Sequence, residues 1–209
     1  MTTRRRRTQA IRSASAWLVA MALAATAAAG PREDLAAAEA AYGRQDWAAV
    51  LELVHPLAEQ GNAEAQFSLA MLYSRGLGLP QDSVAAFEWY RKAAEQGNVR
   101  AQHNLAVLYI TGRGVVPDPV AAMKWMRMAA DKGDAIAQFN LAGMYAGGKG
   151  APKDLVQAYK WYSLAAARFP ENDAERRIRT LQTRDVYAEK MTPAEIAKAE
   201  KLARAWKPR

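Results

Sequence analysis

Residues 61–96 read GNAEAQFSLAMLYSRGLGLPQDSVAAFEWYRKAAEQ, residues 97–132 read GNVRAQHNLAVLYITGRGVVPDPVAAMKWMRMAADK, and residues 133–168 read GDAIAQFNLAGMYAGGKGAPKDLVQAYKWYSLAAAR. The three segments align without a gap at a period of 36 residues, and fourteen of the 36 positions are identical in all three. Those positions spell G…A-Q-x-x-L-A-x-x-Y-x-x-G-x-G…D-x-V-x-A-x-x-W…A-A. Self-similarity at a fixed period of this size marks a repeat architecture and decides the fold before any local motif is read.

Each unit reads as two helices. Ala65, Leu69, Ala70 and Tyr73 fall at helical spacing and make one apolar stripe. Gly76 and Gly78 interrupt it. Asp82 then offers an N-cap, with Val84, Ala86, Trp89, Ala93 and Ala94 as the stripe of a second helix. In the next unit Asp118-Pro119 pairs a cap with a proline at the first helical position, where the missing N–H costs nothing. Gly61, Gly97 and Gly133 suit the left-handed position after a helix end, and Asn62, Asn98 and Asp134 follow at once as caps for the next helix. One helix pair cannot bury both stripes, but stacked pairs can. Trp89, Trp125 and Trp161 then form one ladder in the core, and Tyr73, Tyr109 and Tyr145 another. A buried Trp125 truncated to alanine would cost roughly 3–5 kcal/mol.

The array has ends. Residues 33–60 look like a shortened unit with a briefer turn, in which Leu53, Leu57 and Ala58 match Trp89, Ala93 and Ala94. Pro56 falls inside its second helix, where a proline kinks the chain. Asn172–Lys190 reads as one longer charged helix. Thr192-Pro193-Ala194-Glu195 is a capping box, Met191 and Ile196 a hydrophobic staple, and Ile196, Ala199, Ala203 and Trp206 a last stripe. These C-terminal helices are expected to cover the open face of the final repeat.

The pattern A-x-A-Q-x-x-L-A-x-x-Y-x-x-G-x-G…D-x-x-x-A-x-x-W-Y-x-x-A-A-x-x-G, carried by Ala63–Gly97, resembles the Sel-one-like repeat family, relatives of the tetratricopeptide repeats. The likeness is strong over 61–168 and weak over 33–60. Met126 stands where the family usually has tyrosine, and Gln157 where it has a small residue. The tail M-T-P-x-x-I-x-x-A…L-A-R-x-W resembles the closing segment of bacterial members. The resemblance implies a right-handed α-solenoid that mediates protein–protein contacts. It implies export to the bacterial envelope as a common setting, and no catalytic residue or cofactor.

The net charge of +8 is unevenly placed. Residues 1–29 hold five arginines (Arg4, Arg5, Arg6, Arg7 and Arg12) and no acid, whereas residues 30–170 hold 14 basic and 14 acidic side chains. A nucleic-acid binder concentrates its basic charge on the folded part, and this sequence does not, so nucleic acid is excluded as a partner. The arginines are followed by an apolar stretch, Ala14 to Ala25, and by Ala27-Ala28-Ala29 before Gly30-Pro31. That is the layout of a secretory signal peptide with an A-x-A-type cleavage site. The expectation is a periplasmic or secreted chain with no stable membrane insertion after cleavage, reading as a monomer. With no cysteine, disulfides, thiolate chemistry and lipid attachment at a leader cysteine are ruled out.

Catalytic motifs do not emerge. Gly76-Leu77-Gly78, Gly112-Arg113-Gly114 and Gly148-Lys149-Gly150 look superficially like phosphate loops, but they recur at one repeat phase, which turn geometry explains. The two histidines, His55 and His103, lie on different units without a matched partner at a known spacing. No metal or cofactor is expected, and the chain reads as a non-enzyme.

Function is sought where the repeats disagree. First-helix residues pointing away from the stripe line the inner, concave groove of a tetratricopeptide-like stack. By spacing these are Glu64, Phe67, Met71 and Ser74, then Arg100, His103, Val107 and Ile110, then Ile136, Phe139, Gly143 and Ala146. Phe67, His103 and Phe139 form its middle row. Such a partly apolar groove accepts a peptide or a partner helix. If those three side chains prove buried, that groove does not exist as drawn. The sequence therefore reads as an exported, non-catalytic adaptor. Its alternatives are a membrane-tethered envelope assembly factor or an envelope hydrolase.

Overall fold

In a computed structural model the described residues are 30–209, and the leader reading of residues 1–29 lies outside them. The described residues contain ten α-helices and no strand. The described residues divide into two units, one ending at Leu57 and one running from Ala58 to Arg209.

In the first unit, α1 (Pro31–Gly43) begins with proline at its first turn and buries Ala38 and Ala41. A short connection through Gln45, at φ 58°, leads into α2 (Trp47–Glu59), and Tyr42 packs edge-on against Trp47 at 5.1 Å. Val50, Val54 and Leu57 are the buried side of α2. Pro56 lies within this continuous helix rather than ending it.

The second unit is an α-solenoid of helix pairs: α3 (Ala63–Arg75) with α4 (Ser83–Glu95), α5 (Val99–Thr111) with α6 (Pro119–Asp131), and α7 (Ala135–Gly147) with α8 (Leu155–Ala166). Each of these helices packs against its neighbours in sequence. Every expected cap forms. Asn62, Asn98 and Asp134 accept backbone N–H bonds at the starts of α3, α5 and α7, and Asp82, Asp118 and Asp154 do so for α4, α6 and α8. Gly61, Gly97 and Gly133 take φ near +90°, the backbone that lets one pair turn into the next.

Two further bonds recur once per repeat. The backbone N–H of Asp82, Asp118 and Asp154 donates to the carbonyl of Tyr73, Tyr109 and Tyr145 at 3.1, 3.0 and 3.0 Å. This closes the long turn within each pair. The invariant glutamine does the equivalent between pairs: Gln66, Gln102 and Gln138 donate to the carbonyls of Ala58, Ala94 and Ala130. Those carbonyls lie at helix C-termini, where intrahelical donors run out.

The stacking also explains the second glycine of the G-x-G in the second and third repeats. A Cβ on Gly114 would overlap the carbonyl oxygen of Ser83 at the start of α4, and one on Gly150 would overlap that of Pro119 at the start of α6. The turns of the second and third repeats therefore rest on the preceding repeat's second helix, backbone against backbone.

Several sequence expectations change. The invariant valine is not a core residue: Val84 and Val120 are 60% and 68% exposed, because they sit in the first turn of their helices beyond the layer that neighbouring pairs cover. The tryptophan ladder is graded rather than uniform. Trp161 is fully buried, whereas Trp89 and Trp125 are half-buried. The difference lies at the C-terminus, where α9 (Ala174–Ala188) and α10 (Pro193–Ala205) both pack on α8. Trp206 meets Trp161 edge-on at 6.1 Å, and Tyr187 stacks on Tyr162 at 5.9 Å. The expected long helix at 172–190 starts as a 3₁₀ turn over Glu171–Asp173 before α9 proper. Thr192 and Glu195 form the full capping box of α10. No helix among the described residues is long and apolar enough to cross a membrane.

Candidate interaction site

The first helices present their non-repeating positions on one side, and these residues meet different fates. Glu64 is held by its own repeat array: it pairs with Arg100 and accepts from Asn98 Nδ2 at 2.9 Å. Phe67 is only 7% exposed, so it is not an open groove residue. Tyr90 of α4 lies 5.9 Å from its ring and the Arg100 guanidinium sits 4.5 Å over its face. Second-helix residues and the neighbouring repeat thus cover a position expected to be bare. Ala146 is likewise buried, facing the core instead of the groove.

His103 is half-buried, with Asn140 Nδ2 at 2.9 Å from its Nε2. Burial pushes its pKa below the ordinary 6.5, against a smaller raising pull from Asp134. Phe139 is half-buried and meets Tyr162 edge-on at 5.3 Å. Burial, with Tyr187 beside it, lifts the Tyr162 phenol to about 12, so it is a neutral donor at any physiological pH. Met71, Ser74, Val107 and Gly143 are half-buried, while Arg100, Ile110 and Ile136 are exposed.

The continuous row therefore gives way to two separate cavities. The first, about 280 Å³, lies between the first two repeats, with Phe67, Met71, Ser74 and Val107 from the expected set in its wall. Arg75, Tyr90, Asn104 and Arg113 join them. The second, about 400 Å³, is walled by Ile136 and Phe139 together with Asn140, Phe169, Arg176, Arg179 and Thr180. His103 lines neither cavity; its bond to Asn140 ties α5 to α7 between them.

Sequence reasoning passed over the arginines and the C-terminal residues of these walls. Arg75, the last residue of α3, and Arg113, in the turn after α5, stand at positions where the three repeats differ, a signal that was available. Phe169, Arg176, Arg179 and Thr180 lie beyond the last repeat, and no periodicity brings them to Phe139.

The sequence model of the family described as Sel1 repeat matches residues 63–98, 99–134 and 135–168. Among solved structures, the chain is similar to a Sel1 repeat protein from Oxalobacter formigenes, at 40% identity and a TM-score of 0.54, covering 60% of this chain and 95% of that one. It is also similar to c5321, a protective antigen of uropathogenic Escherichia coli strains with an SLR fold, at 29% identity and a TM-score of 0.47, covering 76% of this chain and 40% of that one. No curated protein matches. Sel1 repeat proteins mediate protein–protein interaction and are typically non-catalytic scaffolds. With three tandem matches over half its length, each falling on one capped helix pair of the solenoid, the chain belongs to the Sel1 repeat family.

Proposed function

We propose that this chain is an exported, non-catalytic adaptor that binds a protein partner along the first-helix face of its solenoid. One observation carries the reading. Most repeated positions fill the core, whereas five non-repeating first-helix positions that keep some exposure, Met71, Ser74, Val107, Ile136 and Phe139, line two cavities on that face. Residues that vary between units of one array are free of the packing constraint the units share, so they can serve recognition. Apolar walls with a few convergent polar groups suit a partner's anchoring side chains. Export is supported by the basic, apolar and alanine-rich succession of residues 1–29.

The test uses the exposed side chain of Ile136, which can change without disturbing the core. Cross-linked capture from bacterial envelope extract is compared between the wild-type chain and Ile136→Glu. Loss of specific cross-linked proteins in the variant supports the reading, and identical profiles overturn the assignment of this face. N-terminal sequencing of the cellular protein accompanies it. A start at or near Gly30 supports export and cleavage, and an intact Met1 on the membrane fraction favours a tethered assembly factor instead.

A further inference from the structure

We infer that the cavity between the third repeat and α9 receives a tryptophan side chain of the partner, with Asn140 Oδ1 accepting the ring N–H and His103 holding Asn140 in the orientation that offers it. This rests on the first-helix face being the interaction surface, and names the anchor that the face takes.

The wall of this cavity is mostly apolar. Ile136, Phe139 and Phe169 supply that part. Thr180 is buried, and its Oγ1 donates to the Arg176 carbonyl at 2.7 Å. Arg176 lies 3.3 Å from Asp173 and Arg179 lies 2.6 Å from Glu175, with 59% and 69% of their side chains exposed, so both guanidiniums belong to the solvent-facing mouth. Asn140 is the remaining polar residue of the wall.

The Asn140 amide has one donating end and one accepting end. Its Nδ2 lies 2.9 Å from His103 Nε2. Burial holds the His103 pKa below its ordinary value, so the ring is neutral at neutral pH. With the proton on Nδ1, Nε2 accepts and Asn140 Nδ2 donates to it. His103 stands outside the cavity wall, so the nitrogen end of the amide is drawn away and the oxygen is the end left facing the cavity. Among the described residues this Oδ1 has no hydrogen-bond partner. The arrangement occurs at one place in the array. Asn104 is the equivalent of Asn140 one repeat earlier, but Phe67 takes the place of His103 there and offers no acceptor to orient the amide.

One acceptor set among apolar surfaces selects an apolar ring with a single donor. An aliphatic side chain or phenylalanine would strip water from Oδ1 and leave it unpaired, which is costly. A lysine or arginine would carry its charge against Ile136, Phe139 and Phe169. The indole N–H of tryptophan donates and accepts nothing. Its rings suit edge-on contact with Phe139 and Phe169. A phenol donates too, but two fused rings fill more of the 400 Å³ or so available.

The experiment titrates the ¹⁵N-labelled protein, as purified from its producing cell, with N-acetyltryptophan amide and with its benzothiophene analogue, in which sulfur replaces the ring N–H. One hydrogen bond of ordinary strength corresponds to about fivefold in affinity. The tryptophan amide should therefore bind about fivefold tighter, with amide shifts centred on residues 136–140 and 176–180. Asn140→Leu should bring the two probes within about twofold of each other while both still bind. His103→Phe should do the same, because the amide loses what orients it. His103→Gln, whose side-chain carbonyl can accept from Asn140, should keep most of the preference. Equal affinities in the wild-type protein overturn the inference, as does a preference that survives Asn140→Leu or an absence of shifts at millimolar probe. A wild-type preference in His103→Phe overturns the positioning role of His103. If neither probe binds while Ile136→Glu still abolishes partner capture, this inference falls alone and the adaptor reading stands.

Discussion

The side-chain amide of Gln102 donates to the backbone carbonyl of Ala94 at 3.1 Å, from the first helix of one repeat to the end of the second helix of the repeat before. Gln102 is completely buried, and Gln138 repeats the contact with Ala130 at 3.0 Å. Only in the first repeat is the amide oxygen also used, accepting from Gln96 Nε2 at 2.7 Å on Gln66. At the equivalent positions Lys132 and Arg168 replace Gln96. Lys132 donates instead to the Gly97 carbonyl at 2.7 Å, and the oxygens of Gln102 and Gln138 stay without a protein partner. Gln102→Leu keeps the volume and loses the bond, so it should destabilise by about 1 kcal/mol. Gln102→Ala adds a cavity and should cost about 2 kcal/mol or more. Urea midpoints at constant slope measure both. A Gln102→Leu protein as stable as wild type would show that the bond between repeats is dispensable.

The three tryptophans should separate in their cost. Trp161→Ala empties a fully buried site facing Trp206 and should destabilise by roughly 3–5 kcal/mol. Trp89 and Trp125 are half-buried, with Lys92 3.7 Å over the Trp89 ring, so their truncation should cost about half as much. Denaturant unfolding of the three variants decides; equal losses would contradict the graded ladder.

Gly114→Ala should be far more damaging than Gly61→Ala. Both residues have positive φ, which penalises any side chain by about 1–3 kcal/mol. At Gly61 an added Cβ meets nothing within 4 Å, whereas at Gly114 it meets the Ser83 carbonyl of the preceding repeat. Thermal unfolding should place Gly114→Ala lower by several degrees, with Gly150→Ala behaving like it.

His103 should make stability depend on pH. Its folded pKa lies below the ordinary 6.5, so the unfolded chain binds the extra proton more readily. The stability present above pH 6.5 is then lost as pH falls from about 6.5 towards the folded value, and below that value no further loss comes from this group. Asn140 donating to Nε2 favours the same neutral form. Measured between pH 7 and pH 5, the urea midpoint of His103→Gln should fall less than that of wild type. Parallel slopes would assign the pH dependence to other groups.

Much of the architecture was legible because helix caps, left-handed glycines and apolar stripes are local. Asp82, Gly97 and the Thr192–Glu195 box each act within a few residues of their own position, so the string of residues is enough to read them. Contacts over long sequence separation were not legible. Phe67 has the same spacing as an open groove residue, but its burial depends on Tyr90 and Arg100, 23 and 33 positions away. Phe139 has the same repeat phase as Phe67, yet it stays half-open because Arg176, Arg179 and Phe169 build a cavity wall beyond it.

By itself the sequence determined the number, length and order of the repeated helix pairs and the turns that join them, since a 36-residue period with invariant caps admits one local geometry per unit. Only the tertiary structure decided which equivalent residues stay equivalent. Trp161 is buried and Trp89 is not because the last repeat is covered by two helices outside the periodic pattern. Arg179 pairs with Glu175 of its own helix at 2.6 Å, whereas Arg113 reaches the Ser74 carbonyl of the preceding repeat. The physical reason is that burial and charge pairing depend on what lies across space. A repeat places identical residues in different surroundings wherever its neighbours differ.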